Sequence, residues 1–310
     1  MSLSFSGATL RATLAGHGRR VSSVVLTPDG RIGLTGSLDK TARLWDLTSG
    51  KCLKVLEDHA REVNAVALTP DAKVALCATG EMMSDASVTR VWDLRTGQPL
   101  RDLAGHTGEV SAVALHVGRR LVATGGVDSS ARLWELDTGR GQSVLEGHGG
   151  WVRAVAFTPD GGGVLTGGMD GTLRIWDTAT ARAIHVLDAH PGGVHAVAAS
   201  PDGRQALSGG RDTHIRLWDI AAGRVVRTLE GHGESVRAIA WSADGRWALS
   251  GSQDKTLRLW DVADGRCVWT EALTGWALSV ALSADTRSAL VGTYDRKVLL
   301  YDLDFGAGSR

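Results

Sequence analysis

Cysteine is scarce in this sequence, and that scarcity argues against a small domain stabilised by disulfides or by zinc. Three of the 310 residues are cysteines, Cys52, Cys77 and Cys267, and no two of them are close in the sequence. An odd, widely spaced set indicates neither a disulfide framework nor a structural zinc site. We expect the protein to need no metal and no other cofactor.

Net charge is absent as well. Thirty-four basic residues balance 34 acidic ones, so no overall field attracts nucleic acid or an anionic membrane. No apolar run approaches the roughly 20 residues that a membrane-spanning helix needs. The first ten residues lack the basic segment and apolar core of a signal peptide. We therefore expect a cytoplasmic protein that binds neither nucleic acid nor membrane.

The sequence also lacks the short motifs that mark common active sites. Residues 161–163 are a run of glycines, but no Lys-Ser or Lys-Thr pair follows them as in a phosphate-binding loop. The His-Glu-x-x-His and Gly-x-Ser-x-Gly patterns are missing, and no convincing helical periodicity occurs. These absences favour an all-β protein without catalytic activity.

Repetition, by contrast, is abundant. A segment that opens with Gly-His and closes with Trp-Asp recurs along the chain, and its clearest copy runs from Gly147 to Asp177. Each copy contains four short strand patterns separated by turn residues. Successive copies end, at intervals of 47, 42, 42, 42, 42 and 41 residues, at Trp45, Trp92, Trp134, Trp176, Trp218, Trp260 and, less clearly, Tyr301.

This repeat resembles the WD-repeat β-propeller family. The resemblance covers residues 8 to 303 and implies one all-β domain over residues 1–310, a seven-bladed propeller whose blades each contain four antiparallel strands. The chain begins with a spare strand pattern at residues 8–14 and ends after the third strand of the last repeat. The resemblance therefore implies that residues 8–14 complete the seventh blade and close the ring.

Five repeats share a histidine, a hydroxyl, an aspartate and a tryptophan at constant spacing. Indole only donates hydrogen bonds, carboxylate only accepts them, and hydroxyl and imidazole do both, so the four groups can form one relay. Five copies that face different ways argue against a catalytic triad. The resemblance implies a buried structural tetrad in each of these blades: His17, Thr35, Asp39 and Trp45; His106, Thr124, Asp128 and Trp134; His148, Thr166, Asp170 and Trp176; His190, Ser208, Asp212 and Trp218; His232, Ser250, Asp254 and Trp260.

The seventh repeat has lost this relay as a unit. Leu273, Val291 and Tyr301 stand where the other repeats have histidine, hydroxyl and tryptophan, and only Asp295 remains. Replacing several partners together by apolar groups costs little, whereas removing one leaves the others without partners.

The second repeat is intermediate. We align His59, Thr79 and Trp92 with the histidine, hydroxyl and tryptophan. An insertion of five residues around residues 81–86 leaves Ala86 at the position of the aspartate.

Function should lie where the repeats differ. Three register positions vary near the centre of the face that carries the Gly-His loops: three and five residues after each histidine, and immediately before each aspartate. In the fourth to seventh repeats they hold aromatic and basic residues, which dominate protein–protein hot spots. We predict that a partner contacts these residues and two methionines of the insertion: Trp151, Arg153, His195, Arg211, Arg237, Trp276, Tyr294, Met82 and Met83.

The charges at these positions are unevenly distributed. Arg153, His195 and Arg237 follow one another in successive repeats, and we expect this arc to favour an acidic segment of a partner, with little contribution from Arg20. Glu62 and Glu109 of the second and third repeats are expected to repel such a segment from the opposite side. The alternative is that these charges are solvated or pair with nearby acids.

The resemblance implies a monomeric, non-catalytic scaffold or sensor that binds a protein or peptide. An alternative within the same resemblance is the regulatory domain of a larger bacterial signalling enzyme, such as a kinase, a peptidase or an ATPase. An enzyme with its active site at the channel mouth has less support, because no polar cluster stands outside the repeat register.

Overall fold

Short antiparallel strands make up nearly all of the regular structure. The computed structural model describes residues 4–80 and 87–306. Within them the chain forms 28 strands in seven sheets of four. No helix in this part of the chain is long and apolar enough to cross a membrane.

Six of the sheets consist of four consecutive strands. The chain starts with β1, Ser4–Leu14, and blades 1 to 3 follow as β2 to β13: Val21–Leu26, Ile32–Ser37, Ala42–Asp46 and Lys51–Leu56; Val63–Leu68, Val74–Thr79, Val88–Asp93 and Gln98–Ala104; Val110–His116, Leu121–Gly126, Ala131–Glu135 and Gly141–Leu145. Blades 4 to 6 contain β14 to β25: Val152–Phe157, Gly163–Gly168, Thr172–Asp177 and Ala183–Asp188; Val194–Ala199, Gln205–Gly210, Ile215–Asp219 and Arg224–Leu229; Val236–Trp241, Trp247–Ser252, Thr256–Asp261 and Arg266–Ala272.

The seventh sheet joins the two ends of the described chain. Blade 7 contains β26, β27 and β28, with bounds Ala277–Leu282, Ser288–Thr293 and Val298–Gly306, and β1 is its outer strand. β1 runs antiparallel to β28, with Ala8 opposite Leu303 and Leu14 opposite Val298. The seven-bladed propeller expected from the sequence, and its closure by the N-terminal strand, are confirmed.

The closing strand is longer than residues 8–14. It begins at Ser4, and Phe5 packs edge-on against Phe305 with ring centroids 5.3 Å apart. Phe5 also contacts Trp269 of blade 6 at 6.0 Å. Because aromatic rings bury large apolar areas, these contacts explain why the pairing extends past the repeat pattern.

The first strand of each blade lies at the centre of the ring. First strands of neighbouring blades contact one another all the way round, from β2 through β26 and back to β2. The second strand of a blade is buried on both faces, as in β11, where all six residues are buried. This position explains why these strands consist mainly of small and apolar residues.

Neighbouring blades share a hydrophobic cluster, because a four-stranded sheet cannot bury both of its faces alone. Between blades 6 and 7, Leu249 and Leu257 pack with Val291 and Tyr301. Among the described residues, clusters of this kind follow one another at the seven interfaces. The blades therefore form one continuous ring.

Turns between the first and second strands lie on the face away from the Gly-His loops. In blade 4, Thr158 Oγ1 donates to Asp160 Oδ1 at 2.6 Å, and Asp160 accepts the Gly162 N–H at 3.0 Å. Gly161 has a φ of 66°, which glycine adopts without steric cost. The Pro-Asp-Gly pattern of the sequence is thus a tight turn.

Candidate protein-binding surface at the mouth of the central channel

A hydrogen-bonded relay holds the Gly-His loop of blade 1. Trp45 Nε1 donates to Thr35 Oγ1 at 2.9 Å, and the same hydroxyl lies 2.7 Å from His17 Nε2. His17 Nδ1 lies 2.8 Å from Asp39 Oδ2. Because the carboxylate can only accept, Nδ1–H donates to Asp39, and Nε2 of that neutral tautomer accepts from the Thr35 hydroxyl, which itself accepts from the indole.

The same three bonds join the other predicted tetrads. Hydroxyl–imidazole distances are 2.7 or 2.8 Å in blades 3 to 6, and the indole donates to each hydroxyl at 2.8 or 2.9 Å. The imidazoles of His106, His148, His190 and His232 contact the aspartates at 2.7 to 3.1 Å. Each hydroxyl is occupied by two bonds, so the geometry favours a structural role over a nucleophilic one.

The relays hold the pKa of their aspartates below the usual value, and burial lowers the pKa of His148, His190 and His232. Burial would raise the pKa of Asp39, but hydrogen bonds from His17, Thr41 and the Gly18 N–H outweigh it and hold that pKa well below its usual value. Burial lowers the pKa of His148, although Asp170 opposes the shift. The Gly18 N–H bond, 2.9 Å long, also ties the Gly-His loop to the turn that carries Asp39.

Blade 2 departs from the expected alignment. In blade 2, Cys77 occupies the strand position that Thr35 occupies in blade 1. Both residues pair with equivalent residues of the two adjoining strands. The alignment of Thr79 with the hydroxyl is therefore wrong. Thr79 lies two residues further along β7, and its Oγ1 donates to the Val88 carbonyl at 2.9 Å.

The insertion lies after the hydroxyl position, so only the count from His59 locates that position. Counting 18 residues forward from His59, as in the intact blades, leads to Cys77, and Thr79 lies two residues beyond it. His59 Nε2 and Trp92 Nε1 are buried, and neither has a hydrogen-bond partner among the described residues. Burial lowers the pKa of His59 to about 4. Ala86 lies outside the described residues, as do Met82 and Met83.

Blade 7 replaces the relay with apolar packing. Leu273 and Tyr301 belong to the cluster between blades 6 and 7. The remaining Asp295 accepts a hydrogen bond from Thr274 at 2.6 Å and pairs with Lys297 at 3.0 Å. Burial opposes the shift, but bonds from Thr274 and Lys297, among others, lower the pKa of Asp295 to about 2.

The loops held by the relays surround one end of the central channel, which we call the channel mouth. The residue three after each histidine and the residue before each aspartate are joined there by backbone bonds, such as Leu38 N–H to the Arg20 carbonyl at 3.2 Å. The mouth is a cavity of about 290 Å³. Its lining includes six of the predicted contact residues: Trp151, Arg153, His195, Arg237, Trp276 and Tyr294.

The position five residues after the histidine links neighbouring blades in blades 1 to 3. Ser22 Oγ donates to the Val63 carbonyl of the next inner strand at 2.5 Å, and Ser111 Oγ donates to the Val152 carbonyl at 2.6 Å. Asn64 takes the same role between blades 2 and 3.

Blades 4 to 6 lose this inter-blade bond. Arg153, His195 and Arg237 occupy the equivalent positions and line the mouth. Among the described residues, none of the three donates a hydrogen bond to the next inner strand.

The three members of this arc are electrostatically different. Arg153 Nη1 lies 3.5 Å from Glu109 Oε1, and the guanidinium stands 5.4 Å from the centroid of the Trp151 ring. Arg237 has no hydrogen bond or ion pair within residues 4–80 and 87–306. Burial, together with Arg153, lowers the pKa of Arg237 to about 10, so it remains a cation at neutral pH. Burial and the nearby arginines lower the pKa of His195 to about 3, which leaves its imidazole neutral.

Aromatic rings of blade 7 line the mouth next to the arc. Trp276 and Tyr294 of blade 7 have ring centroids 4.8 Å apart. The Arg20 guanidinium of blade 1 lies 5.7 Å from the Tyr294 centroid. Tyr294 is 46% exposed, so this aromatic pair is accessible to a partner.

Arg20, which was expected to contribute little to the arc, also lines the mouth. It reaches the same cavity and contributes to the pKa shifts of Arg153 and Arg237. The sequence does contain a signal for this role. Arg20 lies three residues after His17, and Trp151, at the equivalent position of blade 4, was predicted to contact the partner.

Three other residues lie differently from their expected places. Arg211 is exposed and is not among the residues that line the cavity, although its charge acts on His195. Glu62 pairs with Arg19. Glu109 does not face the arc from the opposite side, because it lies in the adjacent blade and pairs with Arg153. Because blades 3 and 4 are neighbours, Glu109 and Arg153 lie side by side.

The described residues of this surface do not form a metal site. Within residues 4–80 and 87–306, no three histidine, cysteine, aspartate or glutamate side chains cluster in a way that could hold a metal ion. The described residues that line the mouth include cations, aromatic rings and the Glu109 carboxylate.

The sequence matches two known protein families. The family described as IFT122 first beta-propeller matches residues 81–306, well over half of the chain. The family described as WD domain, G-beta repeat matches residues 8–46 and 50–93. The chain belongs to the WD-repeat β-propeller family. Propellers of this family are typically non-catalytic proteins that bind other proteins.

Curated relatives match only short stretches. The small ribosomal subunit protein RACK1z of Arabidopsis thaliana is 48% identical over 52 residues, which is 17% of this chain and 16% of the plant protein. The small ribosomal subunit protein RACK1 of Caenorhabditis elegans is 55% identical over 38 residues, or 12% of each chain. The matched segments are thus about as long as a single repeat, and they say nothing about the rest of either relative.

Proposed function

We propose that this propeller is a non-catalytic platform that binds another protein, and that an acidic segment of that protein enters the channel mouth. The observation that carries the proposal is the change at one position of the inner strands. In blades 1 to 3 it holds a short polar side chain bonded to the next blade. In blades 4 to 6 it holds Arg153, His195 and Arg237, which line the mouth without such a bond among the described residues.

The fold alone does not account for this change. A hydrogen bond between blades contributes about 0.5–1.5 kcal/mol, and half-burying a cation without a counter-ion opposes folding further. Arg237 bears this cost without a partner among the described residues. An anionic ligand would supply the missing counter-ion through charge-assisted hydrogen bonds.

The remaining lining suits a peptide. Trp151, Trp276 and Tyr294 offer aromatic contacts of the kind found at protein–protein hot spots. A cavity of about 290 Å³ is at the lower end of ligand pockets. It has room for a few side chains of a segment whose remaining residues lie across the loops.

A defined peptide tests the proposal. The probe is a fluorescein-labelled peptide with six consecutive glutamates, compared with one that has six glutamines, and the readout is fluorescence anisotropy. We expect only the acidic peptide to bind, and binding to weaken between about 50 and about 300 mM salt, because screening increases. The double variant Trp151→Ala with Arg237→Ala should bind at least about tenfold more weakly.

The control removes an equivalent charge elsewhere. Arg224 is exposed on the outer strand of blade 5, and Arg224→Ala should bind like the wild type. Equal losses in Arg224→Ala and in the double variant would show that binding depends on overall charge. Equal binding of the glutamate and glutamine peptides would contradict an acidic ligand.

A further inference from the structure

The two arginines of the arc differ in their counter-ions. Arg153 has an internal one, Glu109, at 3.5 Å, and both side chains are half-buried in the wall of the mouth. Arg237 has none among the described residues. One part of the proposed anion site is therefore already occupied by a carboxylate of the protein itself.

We propose that Glu109 is a built-in competitor of the acidic ligand. A ligand carboxylate binds Arg237 directly, but at Arg153 it competes with the carboxylate of Glu109. This inference rests on the proposed function, and it adds how the affinity of that site is set.

The geometry allows the displacement. A well-formed bond between a guanidinium and a carboxylate is about 2.7–2.9 Å long, so the contact at 3.5 Å leaves the Arg153 donors incompletely used. A ligand that bridges both arginines gains the bonds of two cations. The cost is that Glu109 is left without its counter-ion in a half-buried place.

Protonation of Glu109 removes this cost. Burial raises the pKa of Glu109, and Glu62 raises it further, while Arg153 and Arg20 oppose the shift. Glutamates of an exposed ligand titrate near about 4.3. Acidification therefore protonates Glu109 at a higher pH than an ordinary glutamate, and Arg153 becomes available. His195 stays neutral through this range, because burial and the nearby arginines lower its pKa to about 3.

The test uses Glu109→Gln and the six-glutamate peptide. The amide has nearly the shape of the carboxylate but no charge, so the variant should bind the peptide about tenfold or more tightly than the wild type at neutral pH. Glu62→Gln is the matched control, since Glu62 pairs with Arg19, and it should change affinity much less. Unchanged or weaker binding by Glu109→Gln would overturn the inference.

The wild-type protein provides a second measurement that needs no variant. Its affinity should rise as the pH falls from about 7 towards about 5, before the ligand carboxylates are protonated. Glu109→Gln should lack this rise. A wild-type affinity that only falls on acidification contradicts the competitor role.

The same data separate the two proposals. A wild type that binds while Glu109→Gln gains nothing overturns only the competitor role. If neither protein binds the acidic peptide, the proposed function is wrong, and the competitor role is overturned with it.

Discussion

His59 and Trp92 of blade 2 lie with their ring centroids 5.1 Å apart, whereas the equivalent rings of His17 and Trp45 in blade 1 are 6.5 Å apart. In blade 1 a hydroxyl joins the two rings. Blade 2 has Cys77 at that register, and its two ring nitrogens have no partner among the described residues. A thiol is a weak donor and a weak acceptor, so blade 2 keeps the shape of the relay without its hydrogen bonds.

Cys77→Ser should therefore stabilise the protein. The serine hydroxyl can accept from Trp92 Nε1 and donate to His59 Nε2, which removes two buried unsatisfied groups. We expect a gain on the order of 1–2 kcal/mol in the free energy of unfolding, measured by chemical denaturation. Cys52→Ser, at an exposed position of β5, is the control and should have no effect. A lower denaturation midpoint for Cys77→Ser would contradict this account of blade 2.

His148→Ala should destabilise the protein. It leaves the Thr166 hydroxyl and the Asp170 carboxylate without their shared partner, at a cost of about 2–4 kcal/mol, since each unsatisfied group costs about 1–3 kcal/mol and solvent reaches Asp170. Leu273→His in blade 7 should give no compensating gain, because Val291 and Tyr301 stand there in place of the hydroxyl and the tryptophan, and Asp295 is already held by Thr274 and Lys297. Denaturation midpoints measure both effects. Equal, negligible changes at the two positions would show that the relay of blade 4 contributes nothing to stability.

The sequence was sufficient for the architecture because the architecture is periodic. The regular spacing of Gly-His and Trp-Asp predicts each blade, and the spare strand pattern at residues 8–14 predicts the closure. Where periodicity breaks, the prediction fails. Because of the insertion before Trp92, the spacing of ten residues from hydroxyl to tryptophan does not hold in blade 2, and Thr79 was aligned with the position that Cys77 occupies.

Side-chain contacts between blades were the second feature that the sequence could not predict. The sequence places Glu109 and Arg153 at different register positions of adjacent repeats, and nothing in the repeat pattern says that their side chains meet at 3.5 Å. Arg20 was expected to contribute little for a similar reason, since the first and seventh repeats lie at opposite ends of the sequence. Ring closure brings Arg20 to within 5.7 Å of the Tyr294 ring centroid.

Acid should unfold the propeller progressively through its relays. The pKa of buried His148 is lowered, so its contribution to stability is fully present above the unfolded value of 6.5 and is lost as the pH falls below it. The pKa of Asp39 is lowered as well, and its contribution is lost below the unfolded value of 3.8. Both effects have the same sign. Melting temperatures should therefore decrease from about pH 6.5 downward, in two phases. A melting temperature that is constant between about pH 7 and about pH 4 would contradict neutral buried histidines.

The central claim is that blades 4 to 6 have exchanged an inter-blade hydrogen bond for a ligand contact. It is tested most directly by the double variant His195→Ser with Arg237→Ser, which gives blades 5 and 6 the side chain of Ser22 and Ser111 and leaves the Arg153–Glu109 pair intact. The measurement compares its melting temperature and its affinity for the six-glutamate peptide with those of the wild type. We expect a melting temperature equal to or above that of the wild type, because each restored bond contributes up to about 1 kcal/mol, together with loss of peptide binding. A variant that is less stable than the wild type, or that still binds the peptide with wild-type affinity, would contradict the claim.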